Sequence, residues 1–67
     1  MKHYVVALDE NGSPIHNVDI ATTDGEPKEF TEDHQEALLV CGMLNHYYNR
    51  GDELAGKKVG GYEVVSE

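Results

Sequence analysis

Four histidines are the residues whose chemistry first suggests a function for this chain: His3, His16, His34 and His46. Imidazole nitrogens are common zinc ligands, and two of them on one helix share an ion when one turn separates them. His34 and His46 are twelve residues apart, which places them about 120° apart around a helix. The strand pairing predicted below sets His3 opposite Asp19 rather than His16. We therefore predict no metal site and no cofactor, although the histidines could make the net charge sensitive to mildly acidic pH.

Paired carboxylates are the second group that could perform chemistry. They occur at Asp9–Glu10, Glu32–Asp33 and Asp52–Glu53, where turn formation, the helix dipole and solubility explain them better than acid–base catalysis does. No Ser/His/Asp arrangement stands out by its spacing. Gly60–Gly61 lacks the GxxxxGK spacing of a phosphate loop and a following helix. The sequence therefore predicts that the protein is not an enzyme.

The size of the chain limits how it can be stabilised. Its 67 residues and 7.4 kDa leave room for a single domain, residues 1–67, with a small core. Such chains are often reinforced by a disulfide, a metal or a partner subunit. The single Cys41 excludes an internal disulfide, and its helical position predicts a small apolar filler in a reducing, cytoplasmic setting.

Charge narrows the choice of partner. Thirteen acidic residues against five basic ones give a net charge of −8 and a pI near 4.7. Such a surface argues against direct binding to nucleic acid or an anionic membrane. The apolar run from Tyr4 to Leu8 is too short for a signal peptide, and no stretch approaches the roughly 20 apolar residues that span a bilayer. A protein partner is the remaining expectation.

One helix is predicted, from Thr31 to Arg50, because only this segment combines sufficient length with apolar residues at helical spacing. Thr31 is a good N-cap, and Asp33 with Glu36 is the alternative start. Arg50 and Gly51 suit the end. At about 100° per residue, the arc facing the core contains Ala37, Val40, Cys41, Leu44, Tyr47 and Tyr48.

Three strands complete the predicted fold. Residues 3–8 are apolar on both faces, which predicts a central strand. A tight turn at Asp9–Gly12 joins them to an edge strand at 15–22, with Tyr4 opposite Val18 and Ala7 opposite Ile15. The last strand covers residues 59–66, with a bulge or bend at its two glycines.

The sequence thus predicts an α+β, ββαβ domain in which a three-stranded antiparallel sheet of order 2-1-3 packs on one helix. The predicted core between sheet and helix consists of Val6, Val18, Ile20, Ala37, Val40, Leu44, Tyr47 and Val64.

A contact surface is predicted on the helix side opposite the core, the outer helix face: Gln35, Leu38, Leu39, Gly42 and His46. Two leucines lie there where a monomer would carry charge, and Gly42 costs a helix about 1 kcal/mol relative to Ala. We expect a two-fold homodimer through this face. One alternative is a dimer through the open sheet face at Val5, Ala7 and Val65, and another is a monomer that buries Leu38 itself.

The function predicted from these features is a small acidic protein-binding module without catalytic activity. The alternative is an acidic mimic of nucleic acid that inhibits a nucleic-acid-binding protein. The two differ in salt dependence, because screening weakens a charge-driven complex much more than an apolar contact.

Overall fold

The computed structural model describes residues 1–21, 25–47, 53–54 and 56–67. These ranges contain six strands and one helix: β1 (His3–Asp9), β2 (Pro14–Val18), β3 (Ile20–Ala21), β4 (Pro27–Lys28), α1 (His34–Tyr47), β5 (Glu53–Leu54) and β6 (Lys57–Ser66). The predicted helix end at Arg50 and Gly51, and the core position of Tyr48, lie outside the described residues.

The main sheet has the order β2-β1-β6-β5, and β1 pairs antiparallel with both β2 and β6. The predicted α+β class, an antiparallel sheet with one helix, is therefore confirmed. The first, second and last strands have the predicted order 2-1-3, but the sheet has four strands rather than three. The structure adds β5, which pairs with the start of β6, and a separate short pair formed by β3 and β4. Val5, Val6 and Ala7 are all buried, which explains why β1 lies in the middle of the sheet.

The turn between β1 and β2 forms as predicted. The Asp9 N–H donates to the Ser13 carbonyl at 2.8 Å, and Gly12 has a φ of +84°. The Asp9 carboxylate also accepts from the backbone N–H groups of Asn11 and Ser13, at 2.8 and 2.9 Å. These hydrogen bonds hold the pKa of Asp9 below its usual value, with the Ser13 N–H as the largest cause.

The register of this hairpin differs from the prediction by one residue. Val5 rather than Tyr4 lies opposite Val18, because a bulge separates the Ala7–His16 pair from the Leu8–Pro14 pair. A bulge inserts one extra residue on one strand and displaces every pair beyond it. The predicted pairs Tyr4–Val18 and Ala7–Ile15 are therefore wrong. The predicted position of His3 opposite Asp19 is also wrong, because His3 pairs with Ser66 of β6 and bridges to Thr31.

The shift also changes which face of β1 meets the helix. Val5, Ile20, Ala37 and Cys41 form the buried cluster, and five half-buried residues pack against it: Val18, Val40, Leu44, Tyr62 and Val64. Val6 is buried, but it points to the other side of the sheet from Val5 because side chains alternate along a strand. Its predicted place between sheet and helix was wrong.

Tyr47 was also predicted to lie in the core, yet 71% of it is exposed. It lies at one margin of the predicted arc and at the last described helical residue. The sheet covers the other side of that arc, around Ala37 and Cys41, and does not reach the margin at Tyr47.

The helix begins at His34, so Thr31 is not its N-cap. The Asp33 carboxylate accepts from the N–H groups of Gln35 and Glu36, at 3.0 and 3.4 Å, and performs the capping role named as the alternative. Thr31 instead exchanges two backbone hydrogen bonds with His3, at 2.8 and 3.0 Å.

The two glycines of β6 produce a bulge rather than a bend. Leu8 pairs with Gly61 and Asp9 pairs with Val59, so Gly60 is the extra residue. A Cβ atom on Gly60 would lie 2.5 Å from the Asp9 carbonyl oxygen. The backbones of β1 and β6 approach each other here more closely than a side chain would permit.

Candidate interaction surface

The five residues of the predicted outer helix face are all exposed on α1. They are Gln35, Leu38, Leu39, Gly42 and His46. Leu38 is 50% exposed and Leu39 66% exposed. Within the part of the chain that the structure describes, the subunit therefore does not bury Leu38, as the monomeric alternative required.

Sequence reasoning missed one member of this surface. Met43 is 51% exposed, and it follows Leu39 by four residues, so the two side chains are neighbours on the helix surface. This four-residue spacing is the sequence feature from which Met43 could have been assigned to the surface. We call Leu38, Leu39 and Met43 the apolar patch; isolated exposed apolar residues are ordinary, whereas a contiguous group indicates a contact.

The apolar patch carries no formal charge at neutral pH. The only acidic side chain in α1 is Glu36, in its first turn, and the helix contains no Lys or Arg. A chain with a net charge of −8 thus presents a helix surface from Ala37 to Tyr47 without an ionised carboxylate. Two copies can approach through it without bringing like charges together.

Gly42 lies in the middle of this surface, and the described part of the subunit provides no packing reason for it. A Cβ atom there would meet nothing within 4 Å. Gly in a helix interior costs about 1 kcal/mol relative to Ala. The described structure therefore offers no compensation for that cost within the subunit.

Asn45 fastens the helix to the sheet. Its side-chain amide donates to the Tyr62 carbonyl at 3.2 Å and accepts from the Tyr62 N–H at 3.0 Å. The same amide nitrogen lies 3.6 Å from the Cys41 sulfur. This two-point contact fixes the position of α1 along β6.

Cys41 is a buried free thiol. Burial is the largest cause that raises its pKa above the ordinary value, and the nearby negative charge of Glu63 raises it further. A neutral, buried thiol is a poor nucleophile, which agrees with the predicted filler role.

The histidines do not converge on one point. His3 is buried, its Nδ1 is joined to the Ser66 hydroxyl by a 2.6 Å hydrogen bond, and its ring centre lies 4.8 Å from that of His34. His16 contacts the Asn17 carbonyl, and His46 packs edge-on against Tyr47. Among the described residues, no three His, Cys, Asp or Glu side chains are grouped so that they could hold a metal ion.

The open sheet face, the rival surface, differs from its prediction. Val5 and Ala7 are fully buried, and Val5 belongs to the cluster under the helix. Of the three predicted residues only Val65, which is 40% exposed, could contact a partner. Phe30 packs against Tyr4 with a ring-centre distance of 6.0 Å, so part of the face away from the helix is also covered.

No helix among the described residues is long and apolar enough to cross a membrane. In comparisons with known proteins, no family model, curated protein or solved structure matches the chain. The fold and surface define a small acidic α+β domain with a neutral apolar helix face. Its function has to be inferred from these residues.

Proposed function

We propose that this protein acts by binding protein, first of all a second copy of itself, through the outer helix face and without catalytic activity. The observation that carries the proposal is the apolar patch. Three large apolar side chains, each at least half exposed, lie together on the one helix surface that lacks charge. Their burial against a partner would remove apolar area from water, which is the main favourable term in association.

The arrangement suits a two-fold pair of antiparallel helices. In such a pair the segment from Leu38 to Gly42 meets the same segment of the second copy, so Leu38 lies near Gly42 of that copy. The absence of a side chain at Gly42 lets the two backbones approach closely, which would compensate for the cost of Gly in the helix. The contact is small, so the dimer should belong to the weak class, on the order of micromolar.

Sedimentation equilibrium over a wide concentration range tests the proposal. The wild type should dimerise, and Leu39→Glu should abolish dimerisation because it places two carboxylates in one apolar contact. Asn17→Glu is the matched control, since it adds the same charge at an exposed position on β2 and should leave the dimer intact. A wild type that stays monomeric at high concentration would rule out self-association.

Salt dependence distinguishes the acidic-mimic alternative from self-association. A mimic would capture basic, nucleic-acid-binding proteins, and that capture should weaken steeply as ionic strength rises. Dimerisation through the neutral apolar patch should change little over the same range. A chain that stays monomeric and binds polycations such as polylysine only at low salt would favour the mimic.

A further inference from the structure

The outer edge of β6 is a second feature available for contact. The backbone N–H and carbonyl of Tyr62 both bond to Asn45, so they point away from β1. Backbone groups in an antiparallel strand alternate in direction, and those of Val64 therefore point outwards as well. β5 pairs only with Lys57 and Lys58, and no other described segment pairs with this edge.

The helix runs beside this edge. His34 lies level with Ser66, because His3 contacts both residues, and Asn45 lies level with Tyr62. The middle of the helix, between Leu38 and Gly42, is therefore level with Val64. Leu38 precedes Asn45 by seven residues and so lies on the same side of the helix as the amide that reaches the edge.

We infer that the dimer forms at this edge, with β6 pairing antiparallel to β6 of a second copy about a two-fold axis at Val64. This inference rests on the proposed self-association and moves the helix contact from the outer helix face to the flank that carries Leu38 and Gly42. The Val64 N–H and carbonyl would bond to those of the other copy. Because Asn45 occupies the backbone groups of Tyr62, the new ladder is short, and the helices must supply the rest of the contact.

The spacing of the elements supports one axis for both contacts. Paired strands lie about 4.8 Å apart, and α1 packs against the cluster that includes Val5 of β1 and Val64 of β6. Joining two copies at β6 therefore sets their helices about 10 Å apart, within the usual range for packed helices. Leu38, on the flank nearest the edge, would lie near Gly42 of the other copy, whereas Met43, on the opposite flank, would stay outside this contact.

The charges on the edge identify a second copy as a suitable occupant. Glu63 is the only charged residue between Val59 and Ser66. With the axis at Val64, Glu63 lies opposite Val65 of the other copy, so the two carboxylates do not face each other. Both residues point to the sheet face away from the helix, as their alternation with Val64 requires.

This pairing makes Val65 a position whose charge should control the dimer. Val65→Lys would face Glu63 of the other copy twice by symmetry, and Val65→Glu would place two pairs of carboxylates in opposition. Relative to the neutral Val65→Gln, we expect the dissociation constant to fall with Lys and rise with Glu, by about 2- to 30-fold in each direction.

A change in net charge alone would also lower the dissociation constant with Lys and raise it with Glu. Asn17→Lys and Asn17→Glu are therefore the matched controls. They make the same charge changes at the other edge of the sheet and should shift the dissociation constant much less. Hydrogen exchange by NMR gives a second readout. The Val64 amide should exchange more slowly as protein concentration rises.

The possible outcomes separate the two proposals. A dimer that responds to Leu39→Glu but not to the Val65 series, and whose Val64 amide stays unprotected, retains the helix contact and overturns the strand pairing. If the Asn17 variants shift the dissociation constant as much as the Val65 variants do, the strand pairing is also overturned. The effect of a charge would then not depend on its position. A monomeric wild type overturns both.

Discussion

Replacing Gly42 by Ala should make the isolated subunit more stable. Gly42 is an exposed residue within the 14-residue helix, its φ is not positive, and an added Cβ would meet nothing within 4 Å. The substitution thus keeps every described contact and gains helix propensity of about 0.5–1 kcal/mol. For a domain of this size, such a gain raises the melting temperature by about 2–8 °C.

Thermal unfolding followed by circular dichroism measures this effect, at a concentration low enough to keep the protein monomeric. Gly12→Ala is the matched control. Its Cβ would also meet nothing within 4 Å, but the φ of +84° strains any side chain, so the melting temperature should fall. The two variants make the same chemical change and differ only in backbone conformation.

A lower melting temperature for Gly42→Ala in the dilute monomer would refute the reasoning, because it would mean that part of the subunit packs against Gly42. Repeating the measurement at high concentration examines the interface separately. If the helices approach closely at Gly42, the variant should be more stable than the wild type when dilute, and should lose part of that advantage when concentrated.

Four further substitutions and one thiol measurement examine the fold. Gly60→Ala should cost on the order of 1–3 kcal/mol in urea unfolding because the new Cβ would collide with the Asp9 carbonyl; an unchanged midpoint would contradict the bulge. Ile20→Ala, at a fully buried site, should cost about 2–5 kcal/mol, more than Leu44→Ala, because Leu44 is only half-buried. A larger loss for Leu44→Ala would mean that Leu44 contributes more to the core than Ile20 does. The lowered pKa of Asp9 contributes stability that is present above the pKa of the unfolded chain and is lost as pH falls through the folded value. Asp9→Asn should therefore reduce the loss of folding stability at acidic pH. If the variant loses as much stability as the wild type, other carboxylates are responsible for the loss. Cys41 should react with Ellman's reagent more slowly than free cysteine below its raised pKa, and equal rates would show that the thiol is accessible.

Much of the fold could be predicted because the relevant signals are local. The apolar residues of β1 on both faces, the turn residues that follow Asp9 and the helical spacing of Ala37 and Cys41 each indicate one structure without reference to distant parts of the chain. The exposure of Leu38 and Leu39 could be predicted for the same reason. Once one arc of a helix packs on a sheet, helical geometry alone fixes the opposite arc.

The predictions that failed depended on how distant segments align. Tyr4 and Val5 are both apolar, so either could face the helix, and the bulge in the first hairpin decided between them. A slip of one residue moves a whole strand to the other face, and local pattern hardly distinguishes the two registers when both faces are apolar. The N-cap was decided in a similar way, since pairing with His3 occupies the backbone of Thr31 and leaves Asp33 to begin the helix.

The sequence by itself therefore determined β1, β2, α1 and β6, their order and the neutral helix face, because propensity and periodicity act over a few residues. The short strands β3, β4 and β5 were not predicted. Tertiary structure alone decided the register of β1, the close approach at Gly60 and the contact of Asn45 with Tyr62. Asn45 and Tyr62 are 17 residues apart, and their hydrogen bonds exist only after the helix has docked along β6. That docking also leaves the edge of β6 at Val64, beside Leu38, without a partner strand among the described residues, which no pattern within either segment predicts.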